Sequence, residues 1–404
     1  MTSWSRPAVV VTFAAAAILM LTMGSRQTLG LFVSPVNTTT GLGVTAISLA
    51  LAIAQFVWGA AQPLAGAAAD RWGPAPVLLG GIVLIAIGLA LTPLMDSSLG
   101  LIFSLGLVMA FGAGAGSFSV LIGAAAHRLA PEARGTATGV INAGGSFGQF
   151  VFAPITQKLI QGFGWMGAMW ALAVITLAAL PLVRMVAGRG SEAHPHKGGE
   201  SRVWQAVRDS MGERSYLLLH AGFFTCGFHI AFLVTHLPGE VDLCGLSPTV
   251  ASWSLGIIGL ANIAGSLMAG AAVSRWRSKH ILALMYGSRA VLIALYLVAP
   301  KTPLTFYLFA AGLGLTWLAT VPPTATIVGK LFGIRYLATL FGLTLLSHQI
   351  GAFFGAYAGG LALEATGSYQ WMWYADMALS AAAALVNLPI REAPVRQAPA
   401  AAPA

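Results

Sequence analysis

The sequence predicts an all-α membrane protein: twelve transmembrane helices in two pseudo-symmetric six-helix bundles. Three observations predict it. Apolar residues make up 57% of the 404 residues and charged residues only 8%; a soluble domain carries about 25% charged residues, so this chain lacks the polar groups to cover its surface in water. Runs of roughly 20 apolar residues, each long enough to cross a bilayer as a helix, come as six, a polar break, and six more. Phrases from the first half also recur in the second, at a nearly constant offset of 203 or 204 residues.

The runs lie near 8–35, 44–68, 76–95, 99–126, 136–161 and 166–187, then 215–240, 248–273, 279–299, 303–328, 337–363 and 369–390, numbered here as spans 1 to 12. Each is expected to be helical, because hydrocarbon offers no partner for an unpaired peptide group. Span 1 follows a single arginine, Arg6, as a signal peptide would. Its apolar run to Pro35 is too long for a cleaved segment, so it is read as retained. In span 4, "FGAGAGSFSV" has the look of a nucleotide loop, but no strand precedes it; Gly112, Gly114 and Gly116 are expected to permit close helix contact. Pro322 and Pro323 remove two backbone donors and predict a kink in span 10.

The formal charge of +9 raises the question of nucleic acid, and its placement answers it. Arg71 lies between spans 2 and 3, Arg128 and Arg134 between spans 4 and 5, and Arg184 to Arg214 around the central break. Arg275, Arg277 and Lys279 separate spans 8 and 9, and Lys330 and Arg335 separate 10 and 11. The alternate loops hold Asp96, Glu240, Asp242 and Glu364, with Lys158 and Lys301 as exceptions. Basic loops stay in the cytoplasm, so both termini and the central linker are expected to face inward. The basicity is a topology signal, not a nucleic-acid patch.

The expected organisation is an N-terminal bundle, 1–187; a cytoplasmic linker, 188–214; a C-terminal bundle, 215–391; and a disordered cytoplasmic tail, 392–404. Gly, Ser, Pro and charges make the linker flexible, and "SRVWQAVRDSM" reads as a short helix on the membrane surface. His194 and His196 stand in a flexible linker without cysteines and are read as solvated, so neither a metal nor any other cofactor is expected. Cys226 and Cys244 are expected to be free thiols.

The repeat is clearest where "GAAADRWGP", from Gly66, returns as "GAAVSRWRS", from Gly270. In span 1, "RQTLGLFVSP" aligns with "HIAFLVTHLP" of span 7, setting Arg26 against His229 and Pro35 against Pro238. Gly139 and Gly148 of span 5 match Gly342 and Gly351 of span 11. A duplicated six-helix unit with a substrate path between its copies is a common transporter plan.

With these residues the chain resembles the major facilitator superfamily over essentially its whole length. That family's inner-loop pattern G-x-x-x-D-R-x-G is met by Gly66, Asp70, Arg71 and Gly73, while Pro74, Ala75 and Pro76 stand where it often has a basic pair. Its R-x-x-P-x-x-R-G pattern is met by Arg128, Pro131, Arg134 and Gly135. The resemblance implies a latch: Asp70, beside Arg71 at a helix end, would attract Arg128 or Arg134 in one conformation and release it in another. The competing reading is that these charges only set topology. The resemblance also implies that spans 1, 4, 7 and 10 line a central cavity, that 2, 5, 8 and 11 flank it, and that 3, 6, 9 and 12 face lipid.

On that plan the candidate substrate residues are Arg26, His229, His348, Gln349, Asn142, Gln149, Trp317 and Arg289. Arg26 ranks first, since an arginine inside a membrane helix costs at least ~2.5 kcal/mol unless paired or wet. Its guanidinium would clamp a carboxylate or phosphate with two parallel hydrogen bonds, or else tie down backbone carbonyls. His229 and His348 sit near mid-membrane and could donate to substrate, carry a proton, or bond a neighbouring carbonyl. Asn142 and Gln149, seven apart, share one face of span 5. Trp317 is a cavity wall or packing. Arg289 and Asp376 lie on peripheral spans 9 and 12, and a pairing between them is one expectation; Asp376 joins His229 and His348 as a proton-coupling candidate.

The layout resembles the monocarboxylate and oxalate:formate branch of the superfamily. It implies a monomeric secondary transporter in the inner (cytoplasmic) membrane, moving a small organic anion, a carboxylate, by alternating access with proton coupling. Those relatives place an arginine in span 8, whereas "GLANIAGSLMAG" offers only Asn262. Anion selectivity would then rest on Arg26 and the histidines. The alternative is an exporter of neutral or apolar drugs or metabolites, suited by the many aromatic and Met side chains. No HExxH and no Ser/His/Asp set is present, so no enzyme is expected.

Overall fold

The computed structural model describes residues 6–116, 118–129, 131–187, 205, 207–273, 275–333 and 337–394. The side chains of Asp70, Arg71 and Arg134, His194 and His196, and all but the first residues of the tail lie outside the described residues. What is described is helical, without strands.

Span 1 is helix Arg6–Gln27, a 3-10 turn Leu29–Phe32, and helix Val33–Thr40. Spans 2 and 3 are Val44–Trp72 and Pro74–Leu91. Span 4 is assembled from Ser98–Leu101, a π-helical stretch Ile102–Met109, Ala110–Ala115 and Phe118–Arg128. Spans 5 and 6 form the continuous run Pro131–Leu177, which turns at Gly164 (φ 69°, ψ 173°) and continues as Leu180–Ala187. Only glycine adopts that backbone at no cost. The reversal there is visible in two contacts to span 1: Thr156 lies 3.3 Å from Thr28 and Thr176 lies 3.0 Å from Ser25. Residues twenty positions apart thus return to one depth on the same helix.

In the second half, span 7 is Arg214–Leu243, span 8 Pro248–Ala272 and span 9 Ser278–Val298. Span 10 is broken into Pro303–Thr316 and Val321–Phe332, the break falling just before Pro322 and Pro323. Spans 11 and 12 are Leu337–Thr366 and Gln370–Asn387. Side-chain oxygens of Ser97, Ser247 and Thr302 cap the starts of spans 4, 8 and 10, satisfying amides that have no partner inside the helix. Nine stretches among the described residues are long and apolar enough to cross a bilayer, the run Gly139–Val186 twice over. Spans 11 and 12 complete the twelve; His348 and Gln349, and Gln370 and Asp376, make them more polar than the rest.

The two halves repeat in packing as well as in phrase. A Cβ on Gly114 would meet Ala61 Cβ at 2.5 Å and the Trp58 carbonyl at 3.0 Å; one on Gly314 would meet Ala261 Cβ at 2.6 Å and the Ile258 carbonyl at 2.7 Å. Gly148 and Gly351 likewise sit against the carbonyls of Met20 and Phe224. Small residues let helix backbones approach this closely, the main source of helix association where lipid is as apolar as leucine. One apolar core is built wholly from residues 8–186, and two others come from the second half apart from Leu31 and Ala153.

The halves meet toward the end that carries the acidic loops. There Thr45 N–H donates to Glu364 Oε1 at 3.2 Å, Gly360 packs on Ser48, and Gly30 sits against the Val234 carbonyl. Nearer mid-height, Gly59 packs on Gln349 and Gly259 on Ser146. Toward the basic loops the repeat-related glycines Gly66, Gly270, Gly139 and Gly342 all face open space. Among the described residues, the contacts between the halves lie at the acidic end and at mid-height.

Candidate functional site

Arg26 lies in the last turn of the first helix of span 1, where the two halves close on each other. Its guanidinium donates to Gln55 Oε1 and stacks on Trp58, 3.9 Å from the ring centroid. Gln55 and Trp58, three residues apart, share one face of span 2. Ion pairs among the described residues are His229–Asp376 and Lys330–Glu392, so Arg26 has no carboxylate partner there. The small cavity beside it, about 20 Å³, is lined by Arg26, Leu29, Gln55, Val234 and Thr235 among others. That volume admits a water molecule, not an organic anion. Val234 and Thr235 belong to span 7, so an anion reaches Arg26 only when the wall they form moves aside.

His229 and Asp376 form a second centre. Nδ1 of His229 lies 2.6 Å from Asp376 Oδ2, and both side chains are fully buried. The expected partner of Asp376 was Arg289; span 12 instead turns its carboxylate to span 7. Arg289, fully buried, donates to Thr316 Oγ1 at 3.2 Å, to the carbonyls of Thr316 and Trp317, and to Cys226 Sγ at 3.5 Å. Those carbonyls are free because Trp317 leaves helical geometry (ψ −84°) at the break in span 10. The Trp317 ring stands 5.9 Å from His229. His229 Nε2 and Asp376 Oδ1 are buried without a partner among the described residues.

The remaining candidates are dispersed. His348 bonds its neighbour Gln349 at 3.2 Å and packs on Phe223, while Gln349 and Gln149 are buried at the seams against Gly59 and Gly259. Asn142 is half-buried on span 5. Arg128 donates to the carbonyls of Met185 and Val186 at 2.8 and 3.1 Å, capping the end of span 6. The other expected latch residues, Asp70, Arg71 and Arg134, lie outside the described side chains.

Sequence reading missed Gln55, Trp58 and Thr235, which frame Arg26, and undervalued Asn262. Asn262 donates to Ser146 Oγ at 2.9 Å across the seam and accepts from Leu318 N–H at 2.9 Å, tying spans 5, 8 and 10 together. A lone polar residue in an apolar span was its signal. Cys226 and Cys244 are free thiols.

A sequence profile described as Major Facilitator Superfamily matches residues 15–247 and 241–404. Monocarboxylate transporter 13 of Rattus norvegicus is 25% identical over 358 residues, covering 85% of this chain and 78% of its own. The oxalate:formate antiporter of Oxalobacter formigenes is 23% identical over 366 residues, covering 88% and 84%. The crystal structure of a D-xylose-proton symporter superposes with a TM-score of 0.78 at 13% identity, over 95% of this chain and 97% of that one. Profile matches that together cover residues 15–404, on twelve spans that pack as a repeat, establish that this chain belongs to the Major Facilitator Superfamily and is a multi-pass membrane transporter.

Proposed function

We propose that this chain is a secondary transporter of a small organic anion, a carboxylate, coupled to protons. The observation that carries the reading is Arg26: a guanidinium at the meeting line of the halves, held by Gln55 and Trp58, with no carboxylate partner among the described residues. A cation left without a counter-charge inside a membrane wants an anion, and its planar fork suits a carboxylate. The named cargoes of the relatives, monocarboxylate, oxalate and formate, agree with that chemistry. The bundles 1–187 and 215–391, joined by the linker 188–214, would rock about the site, with both termini and the basic loops facing the cytoplasm.

The proton is assigned to His229. With Nδ1–H donating to Asp376, the unpartnered Nε2 is the atom that accepts it, and the carboxylate steadies the imidazolium that forms. A proton on His229 and an anion on Arg26 would travel together as a neutral pair. Thr235, on the cavity wall, lies six residues, about 9 Å, along span 7 from His229.

Uptake by reconstituted vesicles under a proton gradient tests both. Organic acids should be accumulated and Arg26→Ala and Arg26→Lys should abolish it, while the protein keeps its thermal midpoint. Transport of neutral or cationic compounds with acids ignored would overturn the anion reading and favour an exporter.

A further inference from the structure

Spans 11 and 12 scarcely touch each other, although both pack on span 7. The slot between them is a crevice of about 440 Å³, lined by Ala221 and Phe224 of span 7, Ile350 of span 11, and Leu379, Ala382 and Val386 of span 12. It opens on the outside of the bundle. On span 7, Cys226 turns to span 10 and His229 to span 12, whereas Ala221 is exposed away from both. The flanking Leu217, Phe354 and Leu385 are 44%, 49% and 68% exposed, a rim that only lipid can cover.

The slot's polar lining is His220, Ser347 and Thr225, whose hydroxyl donates to the Ala221 carbonyl at 3.5 Å. His220 Nδ1 lies 2.6 Å from Ser347 Oγ. With the serine hydroxyl donating to Nδ1, Nε2 carries a proton to give, and it is buried without a partner among the described residues. The repeat-related positions in the first half are Ala17 and Gly144, so the pair belongs to the second half alone. At the basic end of the same seam, Arg391 N–H donates to Ser215 Oγ at 3.1 Å, which sets Arg391 and Arg214 on one rim, both exposed. Neither has a carboxylate partner among the described residues: Glu213 accepts from Ser215 N–H, and Glu392 is held by Lys330 and the Lys279 amide. His220 lies six residues, about 9 Å, below Arg214.

We propose that this crevice binds an anionic phospholipid. The phosphate sits between Arg214 and Arg391 at the membrane surface, an ester carbonyl accepts from His220 Nε2–H, and an acyl chain fills the slot. The three layers match a phospholipid in order and in depth: cations at the headgroup, a single donor beneath them, hydrocarbon below. Two cations favour a lipid with net negative charge over a zwitterionic one.

Native mass spectrometry of the purified full chain, titrated with phosphatidylglycerol or phosphatidylcholine of identical chains, tests this. One phosphatidylglycerol should be retained in preference. Arg214→Gln and Arg391→Gln should each weaken retention about fivefold. Ala382→Phe, and independently Leu379→Trp, should plug the slot and remove the preference; two plugs guard against one that misfolds. Glycerol phosphate should not displace the lipid. Equal retention of the two lipids, undiminished binding in both plugged variants, or displacement by glycerol phosphate would each overturn the proposal.

Discussion

His229 and Asp376, 147 residues apart in sequence, meet at 2.6 Å with neither side chain exposed. Removing one partner is not equivalent to removing the other. His229→Leu strands a carboxylate in a low-dielectric interior, which costs about 3–5 kcal/mol. Asp376→Asn leaves two neutral groups that still bond, a loss of about 1 kcal/mol. The thermal midpoint in detergent should therefore fall far more for His229→Leu. Asp376→Asn should keep substrate exchange between preloaded vesicles while losing gradient-driven accumulation. Equal loss of exchange and accumulation would make the pair structural.

The twelve spans were legible because hydropathy and loop charge act locally. Even spans 11 and 12, weakened by His348, Gln349 and Asp376, were bounded by their loops. The pairing of His229 with Asp376 was not legible: it depends on which face each helix turns, and one residue of helix rotation moves a side chain through about 100°. Arg26 stood out as an intramembrane cation, but its support came from Gln55 and Trp58 on another span, a relationship that only packing creates. The repeat predicted more than composition could, since the matched Gly148 and Gly351 make the same contact in each half.

Asn262 offers a test of the seam between spans 5 and 8. Its amide satisfies Ser146 on one side and the Leu318 N–H, freed by the break in span 10, on the other. Asn262→Leu leaves that half-buried N–H without its protein acceptor, at about 1 kcal/mol. The thermal midpoint should drop by several degrees, and hydrogen exchange at Leu318 should quicken. Asn262→Asp keeps the acceptor and should protect Leu318 while losing the Ser146 donor.

Glu392 supplies a pH dependence at the basic end. Partial burial works to raise its carboxyl, but hydrogen bonds from the Lys279 amide and from Lys330, with the Lys330 charge, hold it below the usual carboxylate range. A depressed carboxylate contributes stability that is present above its unfolded pKa, about 4.3, and is lost as pH falls through the folded value. Lys330 is 39% exposed, so solvent screens the pair and the contribution is about 0–1 kcal/mol. Glu392→Gln should lower the midpoint slightly at pH 7 and flatten its decline below pH ~4; a decline unchanged in the variant would place the acid sensitivity elsewhere.

Closure at the acidic end turns on Gly30. A Cβ there would meet the Val234 carbonyl at 1.9 Å and the Thr235 carbonyl at 3.1 Å, and backbone cannot yield as a flexible side chain can. The contact crosses from span 1 to span 7, so a bulkier residue opposes the shut arrangement directly. Gly30→Val should shift the population toward the form open at the acidic end. Spin labels on Thr39 and Asp242 should report a longer distance than in the parent chain, and labels at the basic end a shorter one. Transport should slow while anion binding at Arg26 strengthens, because the wall formed by Val234 and Thr235 is drawn back. Unchanged distances in both label pairs would show that the acidic-end seam closes without needing glycine at this position.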